Sequence, residues 1–283
     1  MRYVCYESQY IDNLESILDV TTLSLNKRTG IRTLRLPSTQ IIVDLSKEFP
    51  ILQSKKVNWK TAIKEILWIM QKQSNVTAEL GAKIWDQWTG EDGTIGKSYG
   101  YQVGQPVKRG DKTWPSQVHY VLDTLGNDRS NRQCVIDMWN VSELGEMNLV
   151  PCAYSSIWNI INGKLNCMLV QRSADYPVGV PFDTTQYAAL THMFARHLGV
   201  KPGMLTHVMA DSHIYENQID GAMKIVRQYN NMCTEIWRGS RSDTSMPQFH
   251  IQDGVDNFWD MHLEDFDVSD YNPMPAIKFE VAV

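Results

Sequence analysis

The chain of 283 residues is 43% hydrophobic and 21% charged, a balance that suits a packed globular protein and excludes a low-complexity or disordered one. Its net charge of −5 offers no basic surplus, so neither nucleic acid nor an anionic membrane is expected as a partner, while a few local arginines remain able to hold a small anion. No apolar run reaches the roughly 20 residues a bilayer requires, and the opening MRYVCYESQY lacks the basic start and apolar stretch of a secretory leader; a cytoplasmic protein is expected.

No repeat or Pro/Gly-rich linker divides the chain, so one domain is expected over residues 1–283. In chain order, Val57–Lys72 is predicted as a helix, because Trp59, Ile63, Ile66, Leu67 and Met70 recur at helical spacing behind Asn58, a suitable N-cap. Glu65 falls among those apolar positions, which places it either at the helix edge or in a cleft. Gln133–Trp139 and Tyr154–Ile161 are predicted as strands, the second joined through the turn dipeptide Asn162-Gly163 to a partner at Lys164–Val170. Thr184–Leu198 is predicted as a helix with Tyr187, Leu190, Met193 and Phe194 on one face and Gly199 as its stop. Hairpins mixed with long helices indicate an α+β fold.

Five cysteines, Cys5, Cys134, Cys152, Cys167 and Cys233, are odd in number, widely spaced and free of any CxxC pair. Neither a disulfide framework nor a metal site is expected from them. A lone cysteine is ordinarily a small buried hydrophobe, and four are read that way. Cys152 lies in the block Leu149–Tyr187, which also holds Gln171-Arg172-Ser173-Ala174-Asp175 and Pro181-Phe182-Asp183. A thiol, an arginine and several hydrogen-bonding side chains are what covalent chemistry on a nucleotide needs. On spacing alone, both readings of Cys152 stand.

That block resembles the active-site core of thymidylate synthases, and further resemblances follow in order along nearly the whole chain. Arg28-Thr29-Gly30 resembles the family's phosphate loop, Lys64-Glu65-Ile66-Leu67-Trp68 its glutamate-bearing helix, and Ile84–Trp88 with Tyr99-Gly100 the lining of its folate and base cleft. Asp211–Tyr215 resembles its ribose motif, and the stretch from Leu263 to Val283 its closing C-terminal segment. The resemblance implies an α+β fold with a large mixed sheet packed by helices, one sheet face used for dimerisation. It implies 5,10-methylenetetrahydrofolate as co-substrate, no metal, and a homodimer with shared sites.

Residue by residue, the resemblance makes Cys152 the thiolate that adds to C6 of a pyrimidine, so that C5 can attack a one-carbon unit. Arg172 supplies positive charge beside the thiol. Glu65 manages protons as a general acid–base group, and Tyr99 takes part in removing the C5 proton. Arg28, Arg172 and Ser173 match phosphate ligands. Arg132 matches an arginine reaching in from a second subunit, where family members carry two adjacent arginines and this chain has Arg132-Gln133. His213 and Tyr215 match groups at the sugar hydroxyl; Trp85, Trp88, Asp175, Gly179, Phe182 and Val283 match the folate side.

Two positions depart from the pattern. Asp183 replaces an asparagine and Ala153 a histidine that orders water near O4 of uracil. An amide oxygen and NH₂ complement the N3–H and O4 of uracil, whereas a carboxylate accepts from the N4 amino group of cytosine and favours a proton on N3. Mispaired buried polar groups cost roughly 1–3 kcal/mol each, enough for ten- to hundredfold discrimination. Deoxycytidylate hydroxymethylases of the same superfamily share both departures, so the reading is dCMP 5-hydroxymethylation, with a product destined for phage DNA. dCMP 5-methylation, conversion of dUMP to dTMP, and an inactive nucleotide-binding relative stand as alternatives. The tail, Trp85 and Leu149 resemble the water-excluding cleft of the methyl-forming enzymes.

Overall fold

The computed structural model describes residues 4–241 and 245–280. Helix α1 (Tyr6–Leu18) buries Tyr6, Tyr10, Ile11, Leu14 and Ile17, spacings that put an apolar stripe on one side. Strands β1 (Ser24–Leu25) and β2 (Arg32–Asp44) follow, and then helix α2 (Trp59–Met70). Asn58 caps α2, its side chain accepting from the Thr61 amide at 3.4 Å. This is the helix predicted over Val57–Lys72, trimmed at both ends.

The predicted strand Gln133–Trp139 shortens to β3 (Val135–Asp137), because Asp137 Oδ1 accepts from the Trp139 amide at 2.8 Å and turns the chain. Strands β4 (Ala153–Ile161) and β5 (Lys164–Gln171) form the predicted hairpin. Asn162 and Gly163 at its tip have φ of 52° and 72°, the left-handed conformation a two-residue turn requires. Two residues of β6 (Ala174–Asp175) lead into helix α3 (Gly179–His197), and β7 (Lys201–Tyr215) precedes α4 (Ile219–Trp237).

Helix α3 starts five residues before the predicted Thr184, since 184 − 179 = 5. Pro181 sits in its first turn, where a missing N–H costs nothing, so the five residues ahead of Thr184 are helical as well. The shift matters because it fixes Gly179, Phe182 and Asp183 on the rigid start of a helix.

The seven strands form one mixed sheet in the order β1-β2-β7-β5-β4-β3, with β6 also paired to β7. β5 and β7 run parallel, and the β2–β7 and β4–β5 pairs are antiparallel. Helix α3 lies between α2 and the sheet, which is why Leu190, Met193 and Phe194 are fully buried. On the sheet, Ile157 and Met168 are register partners, and Met168 pairs with Thr206, two residues from Met204. Ile157, Met168 and Met204 therefore share a face, and all three are exposed, as is Ile161.

Candidate active site

Cys152 stands where β4 begins, beside the last residue of β5. The Arg172 amide donates to its carbonyl at 2.9 Å, and the hydroxyl of Tyr99 accepts from its amide at 3.0 Å. Tyr99 has φ of 41°, and the next residue must be glycine: a Cβ on Gly100 would lie 2.1 Å from the Ser74 carbonyl oxygen. The backbone strain at this corner aims the phenol at the cysteine.

The guanidinium of Arg172 donates from Nε to the Pro151 carbonyl at 2.9 Å and from Nη2 to the Val150 carbonyl at 2.8 Å, leaving Nη2 3.9 Å from the thiol. Its flat face lies 5.5 Å from the ring centre of Trp139. The expected cationic neighbour is thus present, but it does not prevail. Burial pushes the Cys152 thiol up, outweighing the arginines that pull it down. An arginine occupied by two carbonyls cannot fully offset the desolvation of a thiolate, which corrects the expectation drawn from charge alone.

Glu65 is directed into the cleft, not at a helix edge. Its two oxygens accept from Trp85 Nε1 and Gln186 Nε2, each at 2.5 Å, and burial raises it to about 7 despite both donors. A carboxyl poised near neutrality can give or take a proton, the property general acid–base work needs. Glu65→Gln is expected to lower kcat about 10²–10⁴-fold while the nucleotide Kd changes little, as steady-state kinetics with equilibrium binding would reveal. Equal losses in rate and binding would assign Glu65 to packing instead.

Asp183 faces the same cleft from the first turn of α3. It is half-buried, with its carboxyl hemmed in by protein. Burial and then the neighbouring Glu65 charge raise it to about 8, against a hydrogen bond from Gln171 that pulls it down. Between the ordinary value of 3.8 and about 8, the unfolded chain loses a proton that the folded chain keeps, so stability falls as pH rises through that window. Asp183→Asn removes this linkage. Its melting temperature is expected to gain on the wild type between the acid and alkaline ends of the window, by paired thermal scans, and a constant difference would refute the raised acidity.

Arg28, Glu65, Trp85, Trp88, Tyr99, Leu149, Cys152, Ser173, Asp175, Gly179, Phe182, Asp183, His213 and Tyr215 line one cleft with about 1120 Å³ of free space. Arg172 joins Arg28, Cys152, Ser173 and Tyr215 on an adjoining lobe. His213 donates from Nδ1 to the Asp211 carbonyl at 2.8 Å and meets the Tyr215 ring edge-on at 5.0 Å. Since that carbonyl can only accept, Nδ1 carries the hydrogen and Nε2 is left as an acceptor in the neutral imidazole. The cleft is therefore divided, with an arginine-bearing polar end and an apolar wall of Trp85, Trp88, Leu149 and Phe182.

Two expected residues lie apart from this cleft. Arg132, expected to act on the site of a second subunit, is exposed and lines neither lobe of its own chain. Val283 lies outside the described residues. The segment before it does reach the site's edge: the Phe279 ring sits 5.0 Å from Lys55 Nζ, and Gln218 donates to the Glu280 carbonyl at 3.4 Å. Lys55 was not singled out from sequence. It is buried, donates to the Pro177 carbonyl at 2.6 Å, and is pushed down to about 8 by burial. Gln186 was also missed, although its place three residues after Asp183 on one helix was the available signal.

Comparison with known proteins agrees with this geometry. The sequence pattern described as Thymidylate synthase matches residues 8–283. The thymidylate synthase of Clostridium beijerinckii is 40% identical over 281 residues, spanning 98% of this chain and 99% of that protein. The chain belongs to the thymidylate synthase family. Thymidylate synthase 1 of Bacillus subtilis strain 168 is 38% identical over 268 residues, with 94% and 91% covered. The solved structure of thermostable thymidylate synthase A from Bacillus subtilis superimposes with a TM-score of 0.84 at 34% identity, covering 98% of this chain and 99% of that one. The mixed sheet packed by helices is accordingly the thymidylate synthase fold. Family membership accounts for the cleft as a whole and leaves the meaning of Asp183 to its chemistry.

Proposed function

We propose that this chain is a single catalytic domain that transfers a one-carbon unit from 5,10-methylenetetrahydrofolate to C5 of a deoxypyrimidine 5′-monophosphate, ending in a methyl group. The observation that carries this reading is the convergence of Cys152, Arg172, Tyr99 and Glu65 on one cleft with a cationic end and an apolar aromatic wall. Arg28, Arg172 and Ser173 take the phosphate, as guanidinium groups suit it best. His213 and Tyr215 meet the sugar. The thiol of Cys152 loses its proton and forms a bond to C6, and the C5–C6 electron pair moves to C5, ready to bond carbon. The folate supplies that carbon together with the reducing equivalent. Tyr99 and Glu65 then move the C5 proton and the protons on the base edge, after which the sulfur–C6 bond breaks and the thiolate is regenerated. Lys55, Phe182 and Asp175 border the folate end.

Methyl transfer replaces hydroxymethyl transfer as the favoured outcome. The curated relatives are named thymidylate synthases, and the apolar wall of Trp85, Trp88 and Leu149 disfavours capture of the carbon by water. For the base, dCMP is preferred on the strength of Asp183 and the buried Ala153, which removes any side chain able to order water at O4. The relatives' names favour dUMP instead, and that second reading has a structural basis. A neutral carboxyl at Asp183 is able to accept from N3–H and donate to O4, as well as to donate to a bare N3 and accept from N4–H. The exposed Ile157, Ile161, Met168 and Met204 face suits a two-fold homodimer, with Arg132 reaching the neighbouring site. Incubating the protein with the folate and an equal mixture of dCMP and dUMP, then weighing the products, tests the proposal. Methylated dCMP in excess is expected; a hydroxymethyl product or dTMP alone would overturn the corresponding part.

A further inference from the structure

Arg172 is held from three sides, and one of the groups that hold it has no part in the reaction. Its Nε donates to the Pro151 carbonyl at 2.9 Å and its Nη2 to the Val150 carbonyl at 2.8 Å. On the third side, the ring of Trp139 lies against the guanidinium with its centre 5.5 Å from Cζ. Trp139 stands two residues past the end of β3, where its amide donates to Asp137 Oδ1 at 2.8 Å. Its ring meets that of Tyr154 on β4, the centres 5.8 Å apart and the planes at 64°. Trp139 itself lines neither lobe of the cleft.

The chemistry of a guanidinium makes this arrangement matter. All its N–H donors lie in one plane and in fixed forks. The lateral fork, Nε with one hydrogen of Nη2, is spent on the two carbonyls. The terminal fork, Nη1 with the other hydrogen of Nη2, is left for a ligand, and Nη2 stands 3.9 Å from the Cys152 thiol. Arg172 lines the polar lobe together with Arg28 and Ser173, where the phosphate is read to lie. Two-point binding of phosphate by such a fork demands a fixed plane as well as a fixed position.

Two hydrogen bonds along one edge leave one motion open. The plane can tilt about the line through Nε and Nη2 while both bonds keep their lengths, and the tilt swings Nη1 out of line with a phosphate. A ring lying against the flat face resists that tilt, because the electron-rich face of an indole attracts the cation and packs against it. The Tyr154 ring and the Asp137 turn hold the indole in its turn.

We propose that Trp139 is a positioning residue for recognition of the nucleotide phosphate, which fixes the plane of Arg172 so that its terminal fork stays aimed at the ligand. The inference rests on the reading of Arg172 as a phosphate ligand. Losing the indole leaves the charge in place but frees the fork to tilt. Affinity then falls for a nucleotide and not for its nucleoside, which offers the fork nothing to hold. Trp139 touches neither nucleotide nor folate in this account, and it acts through Arg172 alone.

The experiment compares dissociation constants for dUMP with deoxyuridine and for dCMP with deoxycytidine, so the outcome does not depend on which base is preferred. The ratio of nucleoside to nucleotide constants reports the phosphate, and a loss of packing that weakens both ligands alike leaves it unmoved. Trp139→Leu, apolar but without a ring, is expected to lower that ratio about tenfold. Trp139→Met is expected to match it, and keeps the proposal testable if the leucine variant does not fold. Trp139→Phe, which keeps an aromatic face, is expected to stay within about threefold of the wild type. In an Arg172→Met background, where no cation remains to be held, the leucine exchange is expected to cost at most about twofold. An unchanged ratio in the leucine and methionine variants, a phenylalanine variant no better than they are, or an undiminished cost in the Arg172→Met background would overturn the role of Trp139. If Arg172→Met by itself leaves the ratio unmoved, the assignment of Arg172 to the phosphate fails instead.

Discussion

Cys152→Ser is expected to lose turnover by several orders of magnitude while keeping its fold and its affinity for nucleotide. Oxygen is smaller than sulfur but the position is half-buried at a strand end, and nothing structural hangs on the side chain. The contacts that shape the corner are made by backbone groups: Cys152 N–H to Tyr99, Cys152 C=O to Arg172 N–H, and the Arg172 guanidinium to the carbonyls of residues 150 and 151. All survive the exchange. What is lost is a group that ionises near the thiol range, and a hydroxyl desolvated in the same place is ionised far more rarely. Because burial pushes the thiol itself up, Cys152 should react only slowly with iodoacetamide at neutral pH and faster as pH rises, its labelling read apart from that of the exposed Cys233. Single-turnover product formation, nucleotide binding and thermal unfolding together check the prediction; a serine variant turning over at a near-normal rate would remove the covalent step from the mechanism.

Asp183→Asn should shift preference from dCMP toward dUMP. The amide presents a fixed donor and a fixed acceptor, so it can serve O4 and N3–H of uracil at once but can no longer protonate N3 of cytosine. Each mismatch is worth roughly ten- to hundredfold, and the two changes act in opposite directions on the two nucleotides, so their effects multiply in the ratio of kcat/KM values. Ala153 limits the gain toward dUMP, since the variant still lacks a side chain to order water at O4. Measuring kcat/KM for both nucleotides in both proteins decides the matter. A wild type that already prefers dUMP, or an unmoved ratio in the variant, would show that this carboxyl does not read the base.

What could be read in the chain by itself was whatever depends on neighbours in sequence. Asn162-Gly163 specified the β4–β5 hairpin because left-handed backbone at two adjacent residues is a local demand. Asn58 and the spacing of Trp59, Ile63, Ile66 and Met70 specified α2 for the same reason. The ordered series of motifs from Arg28 to Tyr215 identified the cleft, and most of those residues do line it. Tertiary structure alone decided what depends on groups far apart in the chain. Whether Glu65 faced solvent or cleft turned on Trp85 and on Gln186, the latter 121 residues away. The acidity of Cys152 and Asp183 turned on burial, which no spacing reveals, and burial overrode the nearby guanidinium that a sequence reading favours. The early start of α3 was hidden because a proline in a first turn looks, in sequence, like a proline in a loop. The contact of His207 with Gln171 gave no signal at all, for it arises only where β5 and β7 lie side by side.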